Sequence, residues 1–177
     1  MKATGVVRRI DDLGRVVIPK EIRKSLRIRE GENLEIFVDN DDNIILKKHS
    51  LMNKLADLSL SFAESIHTFT DHNVIITDTN KIIAVSGNLK KDYLNKPISD
   101  NLLTSIVRRE NILENHFKEI ILSSDEILDA TYTLSTIIVG GDAVGLVIIL
   151  STDDKVDKTD EKIVKITSRF LAKYLEE

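Results

Sequence analysis

Apolar positions in the first 50 residues come in short alternating runs separated by turn chemistry. Val6, Val7 and Ile10 form a first β-like run, and Arg15–Ile18 a second. Between them, Asp11-Asp12-Leu13-Gly14 supplies a turn, because Asp side chains bond their own backbone and Gly takes positive φ at little cost. Pro19 cannot donate to a sheet ladder, so it stops the second run. It suits the first turn of a short helix whose apolar stripe is Ile22, Leu26 and Ile28. Glu30-Gly31-Glu32 is expected to end that helix, with Gly31 as its turn or C-cap residue. Leu34–Val38 alternates, Asp39–Asn43 is a strong turn signal, and Ile44–Lys48 returns as a strand. The pattern predicts a ββαββ unit. A unit this small, with no disulfide to help it, buries too little surface to stand comfortably alone. A second copy of the chain, interleaving its strands, would cover both hairpin faces.

Beyond residue 50 the periodicity changes. Leu51, Leu55, Leu58, Phe62, Ile66 and Phe69 recur at spacings of three and four, which predicts a helix with an a/d-like seam. That seam either packs on its own domain or pairs with a partner chain. His72–Thr77 and Ile82–Ser86 read as strands around Asp78-Thr79-Asn80-Lys81, and Leu89–Tyr93 as a helical turn. Ser99–Arg109 reads as a helix capped by Ser99, with Leu102, Leu103, Ile106 and Val107 inward and Asn111–Glu114 extending or following it. Phe117–Leu122 is a strand, and Thr131–Val139 and Ala143–Leu150 form a hairpin about Gly140-Gly141-Asp142. Asp157–Leu175 is an amphipathic helix with Ile163, Ile166, Phe170 and Tyr174 on one side. The second region is therefore α+β: a five-stranded, mostly antiparallel sheet flanked by helices. The expected domains are 1–50 and 51–177, with 51–70 as a linking helix.

Charge sharpens this division. The 177 residues carry a net charge of −4, but residues 1–29 hold nine basic residues against three acidic ones, a net of +6. An acidic body with a basic head points to an anionic partner at one end, nucleic acid first among them. A merely solvated basic surface is the alternative. Arg8, Arg9 and Arg15 flank the first turn, and Arg23 and Lys24 lie on the helix after it. Guanidinium forks suit phosphates and guanine edges, and Lys supplies a point charge.

Catalytic chemistry finds little footing. The chain has no cysteine, which excludes a thiol nucleophile and thiolate metal sites and fits a reducing compartment. His49, His67, His72 and His116 show no metal-ligand spacing, so no metal site is expected. No nucleophile elbow or phosphate-binding glycine loop occurs, and nothing in the spacing of Asp78 and Asp92 makes them an acid/base pair. No catalytic residue is assigned. The longest apolar run, Ala143–Leu150, is far too short to span a bilayer, and no secretory signal is expected at the N-terminus.

Thr4-Gly5-Val6-Val7-Arg8-Arg9-Ile10-Asp11-Asp12-Leu13-Gly14-Arg15-Val16-Val17-Ile18-Pro19, with the Leu34–Lys48 hairpin, resembles the swapped-hairpin DNA-binding domain of the AbrB family of bacterial transition-state regulators. Over the whole chain, Lys90-Lys91-Asp92-Tyr93-Leu94-Asn95-Lys96 and the acidic α+β module look like those of sporulation regulators of that family. The resemblance implies a swapped-hairpin dimer that binds double-stranded DNA through Arg8, Arg15 and Arg23, with Arg9 and Lys24 at adjacent basic positions. Lys24 stands where an Arg is common and keeps charge without the bidentate fork. DNA would be read more by shape and flexibility than by a strict base code. The second region resembles a GAF domain, which leaves open both an unidentified small-molecule ligand and a purely structural, dimerising role. Without cysteine, the usual covalent bilin is excluded.

The resulting expectation is a cytoplasmic, forespore-associated regulator of sporulation-related genes. It is a homodimer through its head, joined into a homotetramer if Leu51, Leu55, Leu58, Phe62, Ile66 and Phe69 meet another chain. It is not an enzyme and has no membrane partner. The alternative is an antitoxin-like DNA-binding protein with a protein partner.

Overall fold

The computed structural model describes residues 5–28, 30–31, 33–48, 55–124 and 126–176. The chain divides into two compact units, Met1–His49 and Ser50–Glu177.

In the first unit, helix α1 (Lys20–Ser25) follows Pro19, which sits at the N-cap rather than in the first turn. α1 ends six residues before Gly31: Leu26 is the C-cap, and Arg27 takes a φ of +52°. The helix thus ends earlier than Glu30-Gly31-Glu32, and Gly31 takes the turn role rather than the C-cap one, with φ +78°. Strands β1 (Leu34–Val38) and β2 (Ile44–Lys48) pair antiparallel, with Ile36 opposite Leu46 and Val38 opposite Ile44. The two earlier runs, 6–10 and 15–18, carry no strand in a single chain. Their turn is closed by Asp11 N donating to Arg15 O, but no ladder continues on either side among the described residues. A strand needs a neighbour to bond, and the described residues of one chain offer these runs none.

The second unit is a five-stranded sheet in the order β4-β3-β7-β6-β5, antiparallel throughout. Its strands are β3 (Asn73–Asp78), β4 (Ile82–Ser86), β5 (Asn111–Ile121), β6 (Ile127–Val139) and β7 (Asp142–Ser151). Asn111–Glu114, expected to extend or follow a helix, instead begins β5. The helix before it ends at Val107, and Arg109, with φ +55°, redirects the chain. Central strands β3 and β7 are buried on both faces, so they read as continuous apolar runs. Alternation divides their side chains between two layers. Val74, Ile76, Val147 and Ile149 face helices α2 (Ala56–Thr70) and α5 (Lys158–Glu176). Ile75, Leu146, Ile148 and Leu150 face α3 (Lys90–Tyr93) and α4 (Asp100–Val107). Ser99 caps α4 by accepting from Leu102 N at 3.2 Å. Gly140 and Gly141 turn β6 into β7 with positive φ.

Candidate nucleic-acid interface

The first turn is built by one carboxylate. Asp11 Oδ1 accepts from Leu13 N at 3.0 Å and Arg15 N at 2.7 Å, while Gly14 N donates to Asp11 O at 3.0 Å. Gly14, at φ +76°, takes the left-handed position that such a three-residue loop requires. Asp11 Oδ2 accepts from Arg15 Nε at 2.8 Å. The Arg15 backbone amide first, and its guanidinium second, hold the Asp11 carboxyl below the ordinary aspartate value. Arg8, Arg9, Arg15, Arg23 and Lys24 are all solvent-exposed. Arg8 and Arg9 enter the turn, Arg15 leaves it, and Arg23 and Lys24 stand in the last turn of α1, where cations complement the helix dipole.

The same unit has almost no interior. Leu34, Ile36 and Val38 share one face of the β1–β2 hairpin with Ile44 and Leu46. Of these, Ile36, Val38, Ile44 and Leu46 are exposed in the single chain, with Ile36 at 71%. Val7, Ile10, Val16, Val17 and Leu26 are exposed as well. The opposite face holds Phe37, with Lys47 Nζ 4.8 Å from its ring centroid.

In the second unit, the seam expected on α2 divides. Leu55 and Ile66 are buried in the domain's own core, and Leu58 and Phe62 pack against it. Phe69 is 78% exposed, and Leu51 lies outside the described residues. Intradomain packing thus accounts for four of the six.

Helix α5 does not turn its bulky apolar stripe to the sheet. It buries Val164, Thr167, Ser168 and Leu171, whereas Ile166, Phe170 and Tyr174 face outward and Ile163 is half-buried. Val164, Leu171 and Ala172 pack into the core on that face, and beside them Ser135 Oγ on β6 lies 2.9 Å from Ser168 Oγ and donates to Asn111 Oδ1 at 2.6 Å. The bulky stripe is left to form an aromatic run, Phe62 to Phe170 at 5.0 Å and Phe170 to Tyr174 at 6.5 Å.

On the other layer, Tyr93 is buried and its phenol is pushed up to about 12, chiefly by desolvation and then by Glu126. Among the described residues, no cluster of His, Asp and Glu could hold a metal, and no helix is long and apolar enough to cross a membrane.

Residues 54–176 match the family described as stage V sporulation protein T C-terminal, transcription factor. Residues 7–52 match the MazE family, described as antidote-toxin recognition, bacterial antitoxin. The chain is 48% identical to stage V sporulation protein T of Bacillus subtilis (strain 168) over 179 residues, covering 100% of both. Over 49 residues it is 61% identical to the transition state regulatory protein AbrB of the same organism, covering 28% of this chain and 50% of that one. The second unit has the fold of the phycoerythrobilin-bound GAF domain from a cyanobacterial phytochrome. That likeness has a TM-score of 0.52 at 11% identity and covers 69% of this chain and 86% of that one.

Proposed function

From the premise that the chain belongs to the stage V sporulation protein T family, we propose that it is a DNA-binding transcription regulator of sporulation-related genes rather than an enzyme. Its basic head reads double-stranded DNA as a homodimer. The observation that carries this reading is the pairing of two features in one unit. An uncovered apolar sheet face asks for a second copy, and the same unit carries five exposed cations. Interleaving two hairpins covers Ile36, Val38, Ile44 and Leu46, and doubles Arg8, Arg9, Arg15, Arg23 and Lys24 into two half-sites. The antitoxin-like alternative draws on the match over residues 7–52. The transcription-factor family match over 54–176 argues against it.

The GAF-type unit joins two head dimers into a tetramer. The exposed apolar side chains Ile166, Phe170 and Tyr174 on α5, and Phe69 on α2, support this assembly. A small-molecule ligand for this unit is compatible with its fold. The protein works in the cytoplasm, in the forespore compartment, where its DNA partner lies.

The test is a titration of full-length protein and residues 1–50 against AT-rich promoter duplexes over a range of salt concentrations. Steeply salt-dependent binding by both, tighter for the full chain, supports the reading. No binding by either at low salt removes it.

A further inference from the structure

The two hairpin loops of the first unit share one frame. At the first, Asp11 N donates to Arg15 O at 3.1 Å and Gly14 N to Asp11 O at 3.0 Å. At the second, Asp39 N donates to Asn43 O at 3.1 Å and Asp42 N to Asp39 O at 3.2 Å. In both, the Asp Oδ1 accepts the amides two and four residues on: Leu13 and Arg15 in one, Asp41 and Asn43 in the other. In both, the fourth residue has positive φ, +76° at Gly14 and +58° at Asp42.

They differ in the side chain that closes the loop. Asn43 folds its amide back, with Nδ2 at 3.1 and 3.0 Å from Asp39 Oδ1 and Oδ2. A neutral amide therefore suffices for this turn. Arg15 sends only Nε to Asp11 Oδ2, and its side chain remains 72% exposed. No hydrogen bond from its terminal nitrogens occurs among the described residues. What arginine adds at this position is the edge that carries the two terminal amino groups. That edge matches two acceptors side by side, such as phosphate oxygens or guanine O6 and N7.

We propose that Asp11 is a positioning residue for DNA recognition: its carboxylate anchors Arg15 through Nε and presents the terminal guanidinium edge, already ordered, to paired acceptors on DNA. This rests on the DNA-binding reading above. Two effects oppose each other. A carboxylate near phosphates repels them, so losing its charge alone would tighten binding. Losing the anchor frees the arginine, and each long side chain that must then be ordered weakens binding by about 2- to 12-fold. The sign of the change on Asp11→Asn therefore decides. Asn keeps an acceptor for the Leu13 and Arg15 amides, but its amide nitrogen cannot accept from Nε–H.

The experiment measures affinity of the full-length protein for one promoter duplex at fixed salt, in wild type, Asp11→Asn, Arg15→Ala and the double variant. Asp11→Asn should bind about 2- to 12-fold more weakly per engaged Arg15, and should cost nothing further beside Arg15→Ala. By NMR in free protein, the Arg15 Nε–H should exchange faster with solvent in Asp11→Asn, while the Leu13 and Arg15 amides stay bonded. Should Asp11→Asn loosen those amides, Arg15→Lys alone serves instead: it keeps Asp11, the turn and the charge but has neither the Nε anchor nor the paired terminal edge, and it should bind more weakly than wild type. Equal or tighter binding by a folded Asp11→Asn, an undiminished loss beside Arg15→Ala, or binding by Arg15→Lys equal to wild type, overturns the proposal. Absence of binding by wild type overturns the DNA reading instead. A salt slope lowered by about one per Arg15 on Arg15→Ala assigns the acceptors to a phosphate. An unchanged slope with lost discrimination between duplexes assigns them to a base edge, and either supports the proposal.

Discussion

Replacing Ile36 by alanine separates a free-standing first unit from an interleaved one. Ile36 lies mid-strand in β1, opposite Leu46, yet 71% of it is exposed in the single chain. Full burial of such a side chain is worth about 1.5–3 kcal/mol. With less than a third of it buried, truncation in a free-standing unit costs under about 1 kcal/mol. If a second hairpin covers the face, the same change removes a core side chain and costs about 2–5 kcal/mol per protomer. All three tyrosines lie in the second unit and tryptophan is absent, so intrinsic fluorescence cannot follow the first. Hydrogen exchange of the β1–β2 ladder amides can. At tenfold per 1.4 kcal/mol, the interleaved form should show exchange accelerated by roughly 30-fold or more, and the free-standing form by no more than about fivefold. Protection in wild type should also rise with protein concentration, because association stabilises the folded state by mass action. A change of less than fivefold, with protection independent of concentration, refutes the interleaved account.

Other expectations follow from the second unit. Ile166→Glu places a charge on an exposed position of α5. It should leave the unit folded but lower the mass measured by light scattering; an unchanged mass removes the α5 surface from the assembly. In an alkaline absorbance titration, Tyr93 should ionise last, at about 12. Its raised phenol value contributes stability that is intact below the unfolded value near 10 and is lost as the pH climbs through the folded one, so stability should fall over that window. Ionisation of all three tyrosines together near 10 would contradict its burial. Gly145→Ala should destabilise severely, because a Cβ there runs into the Thr77 carbonyl oxygen on β3, and backbone cannot yield as a side chain can. A melting temperature within a degree or two of wild type would show the β3–β7 register to be wrong.

Much of this was legible wherever a pattern depends on neighbours within one chain. Leu34–Val38, Ile44–Lys48 and Ile82–Ser86 have the expected limits, because alternation and Asp- or Asn-rich turns are local signals. Ser99 was recognisable as a cap for the same reason. Two features depend on neighbours that a local pattern does not name. The runs around Val7 and Val16 read as strands, and among the described residues of a single chain no ladder continues from them. On α5, Ile166, Phe170 and Tyr174 mark a stripe that wants cover, and bulk alone does not say which neighbour supplies it. Helix α5 instead meets its own sheet through Val164, Leu171 and the small polar residues Thr167 and Ser168. The five cations were visible as a charge cluster. The Asp11–Arg15 anchor was not, because both residues fit a plain turn and a plain basic patch until Nε and Oδ2 are placed together.

The most direct test of the central claim is the dependence of DNA affinity on salt, measured for the full-length protein and for Arg8→Ala/Arg15→Ala/Arg23→Ala. Three arginines on each of two chains, all on phosphates, correspond to a slope of log K against log salt of about −5. The account expects wild type at about that slope or steeper. It expects the triple variant to be much shallower, with the protection of the β1–β2 amides unchanged. Equal slopes for the two proteins, with both folded, would contradict the assignment of the basic head as the surface that holds DNA.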